Sequence, residues 1–70
     1  MRLHGVVLRC YSQTFVAEII GRDGQFNQRL MQYKDVSVDD LDRVQTGAHF
    51  TWVAHKRFGE LQTIGLRFDR

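Results

Sequence analysis

Residues 37–56 read SVDDLDRVQTGAHFTWVAHK, and the fold turns on a change of period inside that stretch. Ser37 stands as a helix N-cap. Asp40 sits three positions on as in a capping box, Asp39 adds negative charge to the first turn, and Val36 and Leu41 are spaced as a hydrophobic staple. Gly47 falls just past the expected end. The pattern predicts a helix of about two turns from Val38 to roughly Gln45, with Leu41 and Val44 plugging one end of the structure. From Ala48 to Lys56 the period drops to two, with Phe50, Trp52 and Ala54 on one side and His49, Thr51, Val53 and His55 on the other. That alternation is a strand with an apolar inner face.

Working back from Ser37, three more strand patterns precede the helix. The first runs from Gly5 to Tyr11, and Ser12, Gln13 and Thr14 supply the turn after it. The second, Phe15 to Ile20, puts Phe15, Ala17 and Ile19 on the candidate core face. Gly21, Arg22, Asp23 and Gly24 then form a hairpin signal, because Asp-Gly tolerates the positive φ that a tight turn needs. The third starts near Phe26 with a weaker pattern. Phe26 and Leu30 share one parity and Met31 and Tyr33 the other, which predicts a bulge or a strand wetted on both faces, with Arg29, Met31 and Tyr33 pointing outward. Working forward, Arg57, Phe58, Gly59 and Glu60 make a turn into a fifth strand, Leu61 to Phe68, expected to bury Ile64, Leu66 and Phe68 and to expose Thr63, Gly65 and Arg67.

Three strands, one short helix and two strands are the element order of an OB-type barrel, a partly open five-stranded Greek key. An SH3-like barrel, also built from about five short strands, is the alternative. Seventy residues make one mostly β domain spanning 1–70. The only cysteine, Cys10, cannot form an internal disulfide, and Met1 to His4 lead straight into a strand pattern in place of a signal sequence. A cytoplasmic location is expected, and no apolar run is long enough for a membrane span.

The layout resembles that of bacterial translation initiation factor one and related small RNA-binding barrels. The matching positions are Gly5 and Val7 in the first strand, Phe15 and Glu18 in the second, Thr46 and Gly47 before the fourth, and Arg67 at the basic end of the fifth. The acidic stretch Asp35 to Asp42 departs from that family, which is polar and basic there. The closing pattern of Gly47, Ala48, Phe50, Trp52, Leu66, Arg67 and Phe68 is similar to that of short bacterial proteins with no assigned activity. The resemblance implies the barrel and leaves the ligand open.

Charge is segregated. Residues 1–34 and 43–70 are each net basic, whereas 35–42 hold four aspartates and no cation. Metal chemistry finds no support: His49 and His55 share a face but lie about 20 Å apart along a strand, and His4 has no evident partner. Cys10 reads as a small buried or half-buried filler. No nucleophile, base and oxyanion turn occur together, so neither catalytic residues nor a cofactor are expected. The chain is read as a binding module and not an enzyme.

Two ligand classes fit such a module. Single-stranded nucleic acid, RNA or DNA, would be held through the second and third strands and their loops by Tyr11, Arg29, Tyr33, Lys34, His55, Lys56, Arg57 and Phe58, which mix cations with stacking rings. The alternative is a protein partner, held on an outward apolar face of Val16, Ile20, Met31, Tyr33 and Val53. An edge strand able to pair with a partner or to form a homodimer belongs to this second class.

Overall fold

The structure is a computed structural model describing residues 1–69. Its five strands are β1 (Arg2–Cys10), β2 (Thr14–Ile20), β3 (Phe26–Gln32), β4 (His49–Arg57) and β5 (Glu60–Phe68). They form one antiparallel sheet in the order β3-β2-β1-β4-β5. Hairpins join β1 to β2 and β2 to β3, and a longer connection returns the chain so that β4 lies beside β1, which is a Greek key. A last hairpin adds β5. The sheet curls into a half-barrel compatible with an OB-type architecture. Between its two edges a single parallel bridge, Val36 to Leu66, draws the segment after β3 against β5. No helix among the described residues is long and apolar enough to cross a membrane.

The core lies on the concave face. Phe15, Phe50 and Phe68 meet there, with the Phe50 and Phe68 rings stacked at 5.0 Å between centroids and Phe15 edge-on to Phe50 at 5.9 Å. Val7, Ala17, Trp52 and Leu66 close around them. The indole of Trp52 donates to the Thr63 hydroxyl at 2.9 Å, so the largest core side chain keeps its polar atom satisfied. Gly5 pairs with Phe50 across β1 and β4. A Cβ there would lie 2.7 and 2.8 Å from two carbons of the Phe50 ring, so the ring occupies the space of the missing side chain.

Four expectations need correction. The segment after β3 is not an α-helix but two 3-10 turns, Tyr33–Asp35 and Val38–Arg43. The Ser37 side chain caps nothing. Asp40 is buried and faces the sheet, accepting the Phe68 backbone N–H at 3.2 Å and Arg43 Nη1 at 2.9 Å. The carboxylate of the expected capping box thus ties the turn to β5. Six residues are too few to sustain an isolated α-helix, so tertiary anchoring decides the geometry. Leu41 is exposed, and Val36 and Val44 pack on the core in its place.

In β3 the inward parity is the reverse of the expected one. Phe15 pairs with Met31, which is buried, whereas Val16 pairs with Leu30 and Ile20 with Phe26, both on the convex side. Leu30 and Phe26 are 64% and 62% exposed. Met31 is therefore core, Tyr33 is half-buried against Phe15 with ring centroids 5.5 Å apart, and Arg29 shares their inward parity. In β5 a bulge falls between the pairs Val53–Gly65 and Ala54–Thr63. The extra residue, Ile64, is pushed out to 68% exposure and Thr63 takes the inward place. Cys10, expected as a filler, is exposed past the bulge in β1 between Val7 and Arg9.

Replacing Gly5 by alanine should force the Phe50 ring off its site. Overpacking of this kind costs about 1–3 kcal/mol, so thermal denaturation of Gly5→Ala should fall by roughly 4–20 °C in a domain of this size, whereas Thr51→Ala on the convex side should move it little.

Candidate nucleic-acid interface

The convex surface of the half-barrel is chemically divided. Alternation along β1 turns Arg2, His4 and Val6 outward, and after the bulge Arg9 joins Val16 on that side. On β4 the outward residues are His49, Thr51, Val53 and His55, and on β5 they include Gln62, Gly65 and Arg67. Register places these in rows: Val6 beside His49; His4, Thr51 and Arg67 together; Arg2 beside Val53 and Gly65. Two carboxylates border this face, Glu60 opposite Arg57 at the end of β5 and Glu18 opposite Val6 on β2. The outer face of β2 and β3 differs, with Val16, Ile20, Phe26 and Leu30 around Glu18 and Gln28 and no lysine or arginine.

Within the basic face His4 and His49 touch. Their rings lie 5.0 Å apart, and Nε2 of His4 is 2.8 Å from Nδ1 of His49. One ring donates its N–H to the bare nitrogen of the other, which requires at least one neutral ring. Protonating both would exchange the bond for repulsion while adding charge to the face. His4 thus has the partner that sequence reasoning denied it, because the two lie 45 residues apart and meet only through the β1–β4 ladder. Among the described residues no cluster of three or more metal-ligating side chains occurs.

The end of this face is the β4–β5 hairpin. Arg57 pairs with Glu60, leaving Phe58 and Gly59 as a two-residue loop with φ of 51° and 81°. Two successive positive φ angles match the twist of a hairpin and favour Asn-Gly there. A phenylalanine in the left-handed region is an outlier. Its ring is 92% exposed, with the Arg57 guanidinium 5.4 Å from its centroid. A strained, solvent-facing aromatic beside a cation has the form of a stacking platform.

The eight residues expected to bind nucleic acid separate into three places. His55, Lys56, Arg57 and Phe58 gather at the hairpin. Tyr11, Tyr33 and Lys34 lie at the opposite end of the barrel, where Tyr33 and Lys34 line a shallow recess with Ser12, Gln13, Thr14 and Gln32. Burial of the Tyr33 hydroxyl, with a hydrogen bond and charge repulsion from Cys10, pushes its pKa up, so it stays a neutral donor. Arg29 reaches from β3 across the open seam, its guanidinium 4.7 Å from the centre of the Trp52 ring. Arg2, His4, Arg9, His49 and Arg67 escaped the sequence analysis as a group. Alternation gives Arg9 the inward parity that the β1 bulge reverses, and only pairing of β1 with β4 makes the five neighbours.

Substituting Phe58 by asparagine would install the favoured Asn-Gly pair, relieving roughly 1 kcal/mol of left-handed strain. Thermal denaturation of Phe58→Asn should rise by a few degrees, and a fall would mean that the ring supports the fold. No protein-family model, curated protein or solved structure matches this chain.

Proposed function

We propose that this chain binds single-stranded nucleic acid along the convex face of β1, β4 and β5, with Phe58 as a stacking platform at one end. The observation that carries it is the run of outward Arg2, His4, Arg9, His49, His55 and Arg67 on adjoining strands, bordered by Glu18 opposite Val6 on β2 and by Glu60 opposite Arg57, leading to the exposed Phe58 beside Arg57. The nine residues of β4 span about 26 Å, enough for the lower end of the roughly 4–16 nucleotides that one OB barrel covers. This places the ligand on a different face from β2 and β3, because phosphates would meet Glu18 there and no cation.

The test is fluorescence anisotropy of a labelled 12-nucleotide RNA, and of its DNA equivalent, at several salt concentrations. Binding that weakens with salt is expected. Neutralising Arg2 and Arg67 together (Arg2→Gln, Arg67→Gln) should make the slope of log K against log salt shallower by about 1.4, at about 0.7 per phosphate contact on a single strand. Phe58→Asn should lose about fivefold or more in affinity with the slope unchanged, since stacking contributes about 1–3 kcal/mol per base. Tyr11→Ala with Lys34→Gln, at the other end of the barrel, should leave affinity unaltered. Absence of binding at low salt would overturn the proposal.

A further inference from the structure

The two edges of the sheet are guarded unequally. The β5 edge carries the Ile64 bulge and the Glu60 and Arg67 charges, and Val36 bridges to it at Leu66. Bulges, charges and covering segments are the usual means of keeping an edge from pairing. The β3 edge has seven residues, FNQRLMQ, with no proline, no acid, no lysine and no register break. Its single charge, Arg29, points inward over Trp52.

The direction of the free backbone groups on β3 follows from its pairing with β2. The Gly21 N–H bonds the Gln25 carbonyl at 2.8 Å and the Tyr33 N–H bonds the Gln13 carbonyl at 3.2 Å. Both pairs fall in the register that joins Ile19 to Asn27, Ala17 to Arg29 and Phe15 to Met31. Hydrogen-bonded and non-bonded pairs alternate in an antiparallel ladder, so Asn27, Arg29 and Met31 bond to β2. Phe26, Gln28, Leu30 and Gln32 turn their N–H and C=O groups to the free edge.

We propose that this edge pairs with the same edge of a second copy, antiparallel and centred on Gln28. In that register Gln28 faces its own counterpart, and Phe26 of each copy faces Leu30 of the other, all through edge-directed backbone groups. On the convex side the pairing joins two apolar rows, each running Ile20 and Phe26 of one copy into Leu30 and Val16 of the other, and so covers the most exposed apolar side chains of β3. Arg29 then opposes Asn27. A register centred on Arg29 would set two guanidinium groups directly opposite each other, and like charges at that position are destabilising. Arg29 therefore disfavours that register. The dimer leaves the basic face of β1, β4 and β5 open and does not depend on nucleic-acid binding.

Sedimentation equilibrium from micromolar to millimolar protein should show a monomer–dimer transition. Gln28→Pro removes an N–H that faces the edge and not β2, a position where proline is tolerated, so this variant should remain folded and monomeric. Leu30→Lys, which keeps the backbone donor, should weaken association at least tenfold. Hydrogen exchange followed residue by residue should show the amides of Phe26, Gln28 and Leu30 slowing as concentration rises, with those of Asn27, Arg29 and Met31 unchanged. A monomer throughout the range, a dimer that survives both substitutions, or concentration-dependent protection confined to other strands would each overturn the proposal.

Discussion

The contact on which the rest of this structure depends is the Phe50 ring lying over Gly5 where β4 crosses to β1. The chain makes two local units, a three-stranded meander and a hairpin, and neither has a closed core of its own. The β1–β4 ladder is the strand pairing that joins them. The ladder runs from the Met1 carbonyl accepting the Ala54 N–H, at 2.9 Å, to the Val7 N–H donating to the Ala48 carbonyl, also at 2.9 Å. A side chain at position 5 would hold the strands' inner faces apart, and Phe50 would lose its place against Phe15 and Phe68. Hydrophobic burial is roughly proportional to the area removed from water, so displacing one central ring disturbs every strand that touches it.

From that junction follows the division of the outer surface. Placing β4 and β5 beside β1 brings cations from both ends of the chain together on one convex face and leaves β2 and β3 with an apolar one. The acidic segment 35–42 folds into 3-10 turns at the barrel end and packs against β5, where Asp40 supplies the acceptor for the Phe68 amide and lines one recess with Arg67. The formal total of +2 is thus unevenly spread over the surface, and the local field, not the sum, is what a phosphate chain would meet. The exposed features lie where an open half-barrel puts them. Phe58 stands at a hairpin tip free of core packing, and the bare β3 edge lies on the side that a fully closed barrel would have paired.

The strands, the hairpin turns, the cores of β2 and β4 and the place of the short helical segment were legible in the residues from Phe15 to Ala54, because alternation and turn chemistry are local properties. Local rules also failed in recognisable places. Ile64 was assigned inward because a bulge, which shifts parity by one, leaves no mark in that sequence. Met31 was assigned outward because Phe26 and Leu30 are as apolar as it is, and only the pairing of Met31 with Phe15 decides which parity faces the core. Ser37 and Asp40 carry a capping pattern, yet the buried Phe68 amide is the stronger claimant on the carboxylate, since an unsatisfied amide in the interior costs more than an uncapped exposed turn.

For the candidate site, sequence alone determined the hairpin cluster of His55, Lys56, Arg57 and Phe58, since four consecutive residues stay together in any fold. It also determined that Arg67 faces solvent. Tertiary structure alone decided that Tyr11 and Lys34 stand at the far end from that hairpin, that Arg29 lies over Trp52, that His4 meets His49, and that the β3 edge is left open. These are relations between residues distant in the chain. Strand order fixes them, and strand order is set by which faces can be buried together, a property of the whole core that no local stretch of sequence contains.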